Sequence, residues 1–362
     1  MKPLFMWAGG KSKLLSKYEP HLPEKFDSYH EPFFGGGAMF IWAYQKNPDA
    51  KFFINDINPH IINIYKSIRD DVEYFCSIVD EFEKKYLSLD PPTEKKIIEG
   101  KTKWLDHPTG AKDKELEKEH KLPGNKYNWH EIYEIKPTRR SFFFKTRQSY
   151  QEDHHAWSSV REAAVLYFLM KTAFNGVWQV GKSHGRFNTP CGLMRHDKEI
   201  YKKKNVMEWH KALQGCQIGC VDFQDTLLHI GPGSYTFLDP PYRSASSEEQ
   251  TFADYGTELS DDFQEKVLDF FHEAVYNGSY TLLSNRDWGD GFFEERKGSA
   301  AIATFDVTYT VGRKTKRSKD EKSKDEQEIN KEEEKDEQSK EEVREYRATK
   351  ATEILLIRGK YE

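Results

Sequence analysis

"SYTFLDPPY", Ser234–Tyr242, is the stretch on which the fold turns. Its first half, rich in aromatic and β-favouring residues, reads as a short buried strand. Asp239-Pro240-Pro241 then stops that strand, because two prolines fix φ and remove two amide donors. Ligands of open α/β sheets bind outside the carboxyl ends of strands, so a turn here faces a site. What remains to meet a ligand is acceptors, the Asp239 carboxylate and the Pro240 carbonyl, with Tyr242 as a flat face. Two acceptors beside an aromatic platform fit an exocyclic amino group on a planar heterocycle.

Outward from that strand the chain keeps the same grammar. "CQIGCVDF" precedes it, and "SYTLLSN", "AIATFDVTYTV" and "TEILLIR" follow as further strands, the last two as a closing pair. "DDFQEKVLDFFHEAVYNG" reads as an amphipathic helix with Phe263, Val267, Phe270, Phe271, Ala274 and Val275 on one face, Ser260 as N-cap and Gly278 as terminator. Near the N-terminus, "SYHEPFF" (Ser28–Phe34) reads as a strand entering Gly35-Gly36-Gly37. "AMFIWAYQK" follows as a helix, "KFFIND" (Lys51–Asp56) as a strand, and a further helix opens at Asn58 or Pro59. Strand, turn, helix, strand is the pattern of a parallel sheet. The expectation is therefore an α/β fold with a Rossmann-like sheet and an inserted, mainly helical domain. Residues 1–60 and 216–362 would form the sheet, and residues 61–215 the insertion.

A length of 362 residues with 14% aromatic content supplies a real core. The net charge of −5 points to no nucleic-acid partner, but charge is unevenly placed. From Lys136 to Lys204 there are 14 Lys/Arg against 5 Asp/Glu. That stretch, with Arg139 and Arg140 in "KPTRRSFFFKTRQ", suits either a phosphate backbone or an ordinary solvated face. From Arg313 to Arg347, 12 Lys/Arg and 13 Asp/Glu leave little that could enter a core, so an inserted, mobile tip between the closing strands is expected. Cys76, Cys191, Cys216 and Cys220 form no disulfide framework, and no secretory leader is visible, which fits free thiols in a cytoplasmic protein. No second ligand pair accompanies Cys216 and Cys220, and no metal is expected. The longest apolar run, Ala163–Met170, is too short to span a bilayer.

Five collinear segments resemble the Dam-type (D12 class, α-group) DNA adenine-N6 methyltransferases. "WAGGKSKLL" (Trp7–Leu15) resembles that family's opening motif, whose lysine, here Lys11, meets both cofactor and target. "EPFFGGGAMF" (Glu31–Phe40) is similar to its glycine-rich cofactor loop, and "NDINPHIINIY" (Asn55–Tyr65) to its acidic ribose-binding turn. "DFQD" at Asp222 and Phe223 is similar to the segment around the cofactor adenine. "DPPY", Asp239–Tyr242, resembles the catalytic motif, with Ser284-Asn285 on the next strand. The resemblance implies S-adenosylmethionine as cofactor, held by Trp7, Lys11, Glu31, Phe33, Gly35, Gly37, Asp56, Asp222, Phe223 and Asp239. Asp239, Pro240, Pro241 and Tyr242 would be catalytic, acting on a flipped-out adenine of double-stranded DNA. A monomer is the default for such enzymes, and a cognate restriction endonuclease would be consistent with the family. So would a prokaryotic, phage or viral source. The same chemistry on cytosine N4, and an inactive DNA-binding relative, are the rival readings. Methylation of protein glutamine is disfavoured by Asp239, because the related tetrapeptide there begins with asparagine.

"GVWQVGKS" (Gly176–Ser183) spells a phosphate loop, but such a loop needs a strand before it and a helix after it. "REAAVLYFLMKTAFN" reads as a helix and "HGRFNTPCG" as turns, so the string is a decoy. In the family an Asn-Gly turn and a similar Gly-x-Phe-Asn-x-Pro-x-Gly element lie in the target-recognition region. Asn175, Gly176, Lys182, His184, Arg186 and Asn188 thereby join Lys11, Arg139 and Arg140 as expected DNA contacts, with Asn175 or Val177 as a wedge. GATC-specific relatives read the first guanine with an arginine three residues past that glycine. Gln179 stands there, a side chain suited to adenine or to shape, so GATC specificity does not carry over.

Overall fold

The computed structural model describes the chain apart from residues 8, 12–13, 90–94, 99–100, 105–113, 124–125, 177, 182–185, 193–198, 244–259, 314–345 and 360–362. Seven strands form one mixed sheet: β1 (Ser28–Glu31), β2 (Lys51–Asn55), β3 (Gln217–Gly219), β4 (Ser234–Leu238), β5 (Tyr280–Asp287), β6 (Ala301–Arg313) and β7 (Tyr346–Arg358). Their order is β6-β7-β5-β4-β1-β2-β3. The five strands from β5 to β3 run parallel, and β7 enters antiparallel between β5 and β6. This is the Rossmann-like methyltransferase arrangement, an α/β fold as the sequence pattern requires.

The helices begin where the sequence supplies caps. Helix α1 (Ala38–Lys46) follows Gly37, which sits at φ 63°. Helix α2 (Pro59–Asp70) has proline in its first turn, and the Asn58 side chain accepts from the amides of His60 and Ile61. The inserted helices are α3 (Val72–Ser88), α4 (Trp129–Ile135), α5 (Arg139–Asp153), α6 (Ser159–Thr172) and α7 (Lys203–Leu213). The run Ala163–Met170 is buried throughout, so α6 is the axis of the helical layer, packed by α2, α3 and α5. Helix α8 (Asp261–Tyr276) is capped by Ser260 and covers the opposite face of the sheet with the short α9 (Phe292–Arg296).

Strand alternation divides the core in two. Tyr29, Tyr235, Phe237, Leu282 and Leu355 point into the helical layer, whereas Leu238, Leu283, Ile354 and Leu356 meet α8 and α9. Trp209 of α7 stacks on Phe40 of α1, so the insertion shares a core with the first part of the sheet. The closing pair reads as expected, from Ala301 opposite Ile357 to Arg313 opposite Tyr346. The charged stretch between them lies outside the described residues, except for its ends. All four cysteines are free thiols, three of them buried. Among the described residues no helix is long and apolar enough to cross a membrane.

Candidate active site

Strand β4 ends at Leu238, and the turn that follows aims Asp239 into the crevice at the carboxyl edge of the sheet. The Asp239 carboxylate is 20% exposed. Lys11 Nζ lies 2.6 Å from its Oδ1, and the Ser284 hydroxyl donates to the same oxygen at 2.8 Å. Both donors take Oδ1, and neither takes Oδ2. Burial raises the Asp239 pKa above the ordinary carboxylate range, while the charge and hydrogen bond of Lys11 pull it back.

The turn is fixed by a buried amide chain. Gln264 of α8 donates to the Pro241 carbonyl at 2.9 Å and accepts from Asn285 at 2.8 Å. Asn285 Oδ1 in turn accepts from the backbone amide of Arg243. Arg243 then pairs with Asp261 and Asp290 and stacks on Phe292. The Pro241 carbonyl is thereby occupied, and among the described residues no donor to the Pro240 carbonyl is seen. Tyr242 lies alongside, with Lys11 Nζ 4.6 Å from its ring centre.

On the other side of Asp239 lies the glycine turn. Gly35 and Gly37 adopt φ of 48° and 63°, a region closed to most side chains. A Cβ on Gly35 would stand 2.4 Å from Trp7 Nε1, so the indole of Trp7 lies directly on the turn. Asp56, at the end of β2, accepts from the Gly35 amide at 2.8 Å and from the Asn58 amide at 2.9 Å. Burial raises its pKa, and these two amides moderate the effect. Glu31 is buried, takes the Tyr29 hydroxyl at 2.7 Å, and has its pKa pushed well up by burial. Phe33 and Phe223 face each other with ring centres 4.9 Å apart, beside an exposed Asp222. A carboxylate, an aromatic pair and a glycine turn thus share one edge of the sheet. That donor set fits a nucleoside cofactor.

The segment expected to read DNA forms a small hairpin. Val180 bridges Phe187, Gly181 donates to the Arg186 carbonyl and Asn188 to that of Gln179. Trp178 and Phe187 are buried beneath it, while Gln179, Arg186 and Asn188 are exposed on its outer side. Gly176 ends a 3-10 turn that follows helix α6, and the Gly181 amide is spent inside the hairpin, so the strand that a phosphate loop needs before it is not there. Lys182, His184 and Val177 lie outside the described residues. Asn175 has φ 54°, and beside it Phe174 is 43% exposed.

Two expected DNA contacts require correction. Arg139 is 4% exposed and stacks on Tyr86. Arg140 pairs with Glu117 and stacks on Trp129 and Phe144. Both guanidinium groups lie within the helical layer, where residue counting could not place them: charge in a sequence does not say which face a helix buries.

Sequence reading also passed over residues that the fold brings in. Asn55, buried, bonds the Pro32 carbonyl and both backbone groups of Val221, tying together the ends of β1, β2 and β3. Gln264 stood on the apolar face of a periodic helix, and its polarity there was the available signal. Glu353 is fully buried in "TEILLIR", and Tyr18, on the short helix Leu15–Tyr18, donates to it. A charged residue within an otherwise apolar strand was the sign.

Comparison with known proteins agrees with this geometry. The model of the D12 class N6 adenine-specific DNA methyltransferases matches residues 7–101 and 125–301. The type II methyltransferase M.MjaIII of Methanocaldococcus jannaschii is 28% identical over 291 residues, covering 79% of this chain and 84% of its own. The type II methyltransferase M1.LlaDCHI of Lactococcus lactis is 24% identical, covering 87% and 91%. A DNA adenine methylase of Vibrio cholerae is 24% identical, covering 78% and 80%. With the Asp239–Tyr242 turn at the carboxyl edge of a methyltransferase sheet, and a family match across most of its length, the chain belongs to the D12 class of N6 adenine-specific DNA methyltransferases.

Proposed function

We propose that the methyl donor is S-adenosylmethionine and that Asp239–Tyr242 receives an adenine turned out of the duplex. The carrying observation is the partly exposed Asp239 carboxylate, held at Oδ1 by Lys11 and Ser284 and sharing Lys11 with the Tyr242 ring; Asp239 Oδ2 and the Pro240 carbonyl are the acceptors this reading assigns. An adenine stacked on Tyr242 would direct its two N6 hydrogens at them. Accepting both draws the nitrogen lone pair out of ring conjugation, so it can attack a carbon in line with it. The cofactor, when bound, supplies an electrophilic methyl on positively charged sulfur. As the N6–carbon bond forms, one N6 proton is lost, and Asp239 is the acceptor placed to take it. Most of the acceleration comes from orientation and fixed acceptors, which is why Gln264, Asn285 and Ser284 hold the turn.

In this reading Asp56 meets the ribose hydroxyls, while Phe33 and Phe223, with Asp222, border the adenine of the cofactor. Trp7, Gly35 and Gly37 shape its turn. Glu31 and Lys11 stand between that site and Asp239. Gln179, Arg186 and Asn188 face the DNA from the outer side of the hairpin, together with Lys182, Asn175 and Gly176. Arg139 and Arg140 are not part of this proposal, Arg139 being buried and Arg140 engaged by Glu117. Residues 61–215 are assigned to target recognition, with the cut at residue 61 falling inside α2. Gln179 argues for a site other than GATC. A monomer would suffice for these contacts, and the type II names of two relatives make a cognate endonuclease worth seeking beside its gene.

The test is expression in a host lacking DNA methylation, followed by sequencing of its genome for modified bases. N6-methyladenine confined to one short motif is expected, and Asp239→Ala should abolish it without unfolding the protein. Methylation that survives Asp239→Ala at a substantial level would sink the assignment.

A further inference from the structure

Glu353 is fully buried on β7, 111 residues beyond Tyr242 in sequence. Because β7 runs antiparallel to β5, its central residues lie beside the carboxyl ends of β4 and β5. Glu353 pairs with Arg286 and Leu355 with Ser284, so Glu353 points to the face that carries Ser284 and Asp239. Its Oε1 accepts from the Tyr242 hydroxyl at 2.9 Å and from the Tyr18 hydroxyl, and Lys11 Nζ lies 3.8 Å away. A buried carboxylate persists only where donors and cations satisfy it. Of these partners, Lys11 and Tyr242 belong to the segments that surround Asp239. The three residues that follow it on β7, Ile354, Leu355 and Leu356, are buried apolar side chains. An apolar side chain at position 353 would close the sheet without the cost of burying charge.

We infer that Glu353 is a positioning residue for methyl transfer, fixing the Tyr242 ring through its hydroxyl and giving Lys11 a second anionic neighbour beside Asp239. This rests on the reading of Asp239–Tyr242 as the catalytic tetrapeptide. A phenol held at one end cannot swing about its Cβ, so the ring keeps the plane on which the target base must stack. When the target amine approaches Asp239, Lys11 can lean toward Glu353 without losing its counter-charge.

The test is single-turnover methyl transfer to a duplex carrying the modified motif, with saturating cofactor and DNA. It compares the wild type, Glu353→Gln, Tyr242→Phe, their combination and Asp239→Ala. Thermal unfolding and calorimetric binding of S-adenosylmethionine report whether each variant is intact. Glu353→Gln should bind the cofactor normally yet transfer roughly 100-fold more slowly, with no rise in KM for DNA. Tyr242→Phe, which keeps the ring and loses only the hydroxyl, should be about tenfold slower, and adding Glu353→Gln to it should cost much less than in the wild type. A wild-type rate in Glu353→Gln, or its full penalty in the Tyr242→Phe background, overturns the inference. Should Glu353→Gln not fold, Tyr242→Phe decides alone, and a wild-type rate there overturns it. Undiminished transfer by Asp239→Ala would instead defeat the catalytic reading beneath it.

Discussion

Asp239 holds one carboxylate oxygen fixed and one open, and its ionisation sets the acid limit of the reaction. Only the ionised group can take a proton from the target amine. Burial raises its pKa, so the transfer rate should fall as pH drops through a value above the ordinary carboxylate range. Lys11 lowers that value by its charge and hydrogen bond. Lys11→Met should therefore move the acid limb of the single-turnover profile to higher pH, as well as slowing transfer. A limb that stays in place or moves to lower pH would show that another group sets it. The tetrapeptide was legible as a site from four letters, because two prolines after a strand leave only acceptors. Lys11 was expected at the site only through the family resemblance; that it bonds Asp239 Oδ1 was not legible, since it is 228 residues away in sequence and only the fold brings it within 2.6 Å.

The glycine turn between β1 and α1 is an element whose sequence is dictated twice. Its backbone needs positive φ at Gly35 and Gly37, and its surface is covered by Trp7. Gly35→Ala adds a methyl 2.4 Å from the Trp7 nitrogen at a backbone angle alanine avoids. Loss of about 1–3 kcal/mol is expected, with cofactor affinity falling further than stability. Chemical denaturation and calorimetry separate the two effects, and an alanine variant that binds the cofactor normally would remove the turn from the cofactor site. The helices were legible through their caps and periodicity: Asn58, Pro59 and Ser260 begin helices where the sequence puts them. The short strand β3 was expected to be longer, because "CQIGCVDF" is apolar but pairs only on one side, with β2, and ends at Gly219, whose Cβ would strike Asn55.

At the scale of the molecule, the start of α2 connects the Asp56 turn to the recognition hairpin. His60 Nδ1 meets Glu162 Oε1 at 2.9 Å and the Tyr150 hydroxyl at 3.0 Å, and its ring packs against Trp178. Burial alone would raise the Glu162 pKa, but the hydrogen bond and charge of His60 outweigh it and hold the group below its ordinary value. The contribution of this link is therefore present above the ordinary glutamate pKa and is lost as pH falls through the depressed value. Glu162→Gln should cost about 1–2 kcal/mol near neutral pH and progressively less in acid. Urea unfolding across pH measures this, and a penalty independent of pH would assign the effect to packing alone. At the far edge, Arg313 and Tyr346 are paired across β6 and β7. Joining them by a short turn in place of residues 314–345 should leave the transfer rate within about twofold, since a closed loop of this kind adds little to the ladder it connects. A large loss of transfer would give that segment a part in the reaction.

The sequence by itself determined the sheet, its caps and the turn that ends β4, because strand alternation, proline geometry and glycine turns act over a few residues. The family resemblance rested on the same short, ordered segments. Only the tertiary structure decided which charges serve the site. Arg139 and Arg140 read as DNA contacts until the helical layer enclosed them, and Glu353 read as one polar letter until β7 set it against Tyr242 and Lys11. Burial and partnership are properties of what surrounds a residue in space, and for these residues the surroundings are supplied by chain segments far away in sequence.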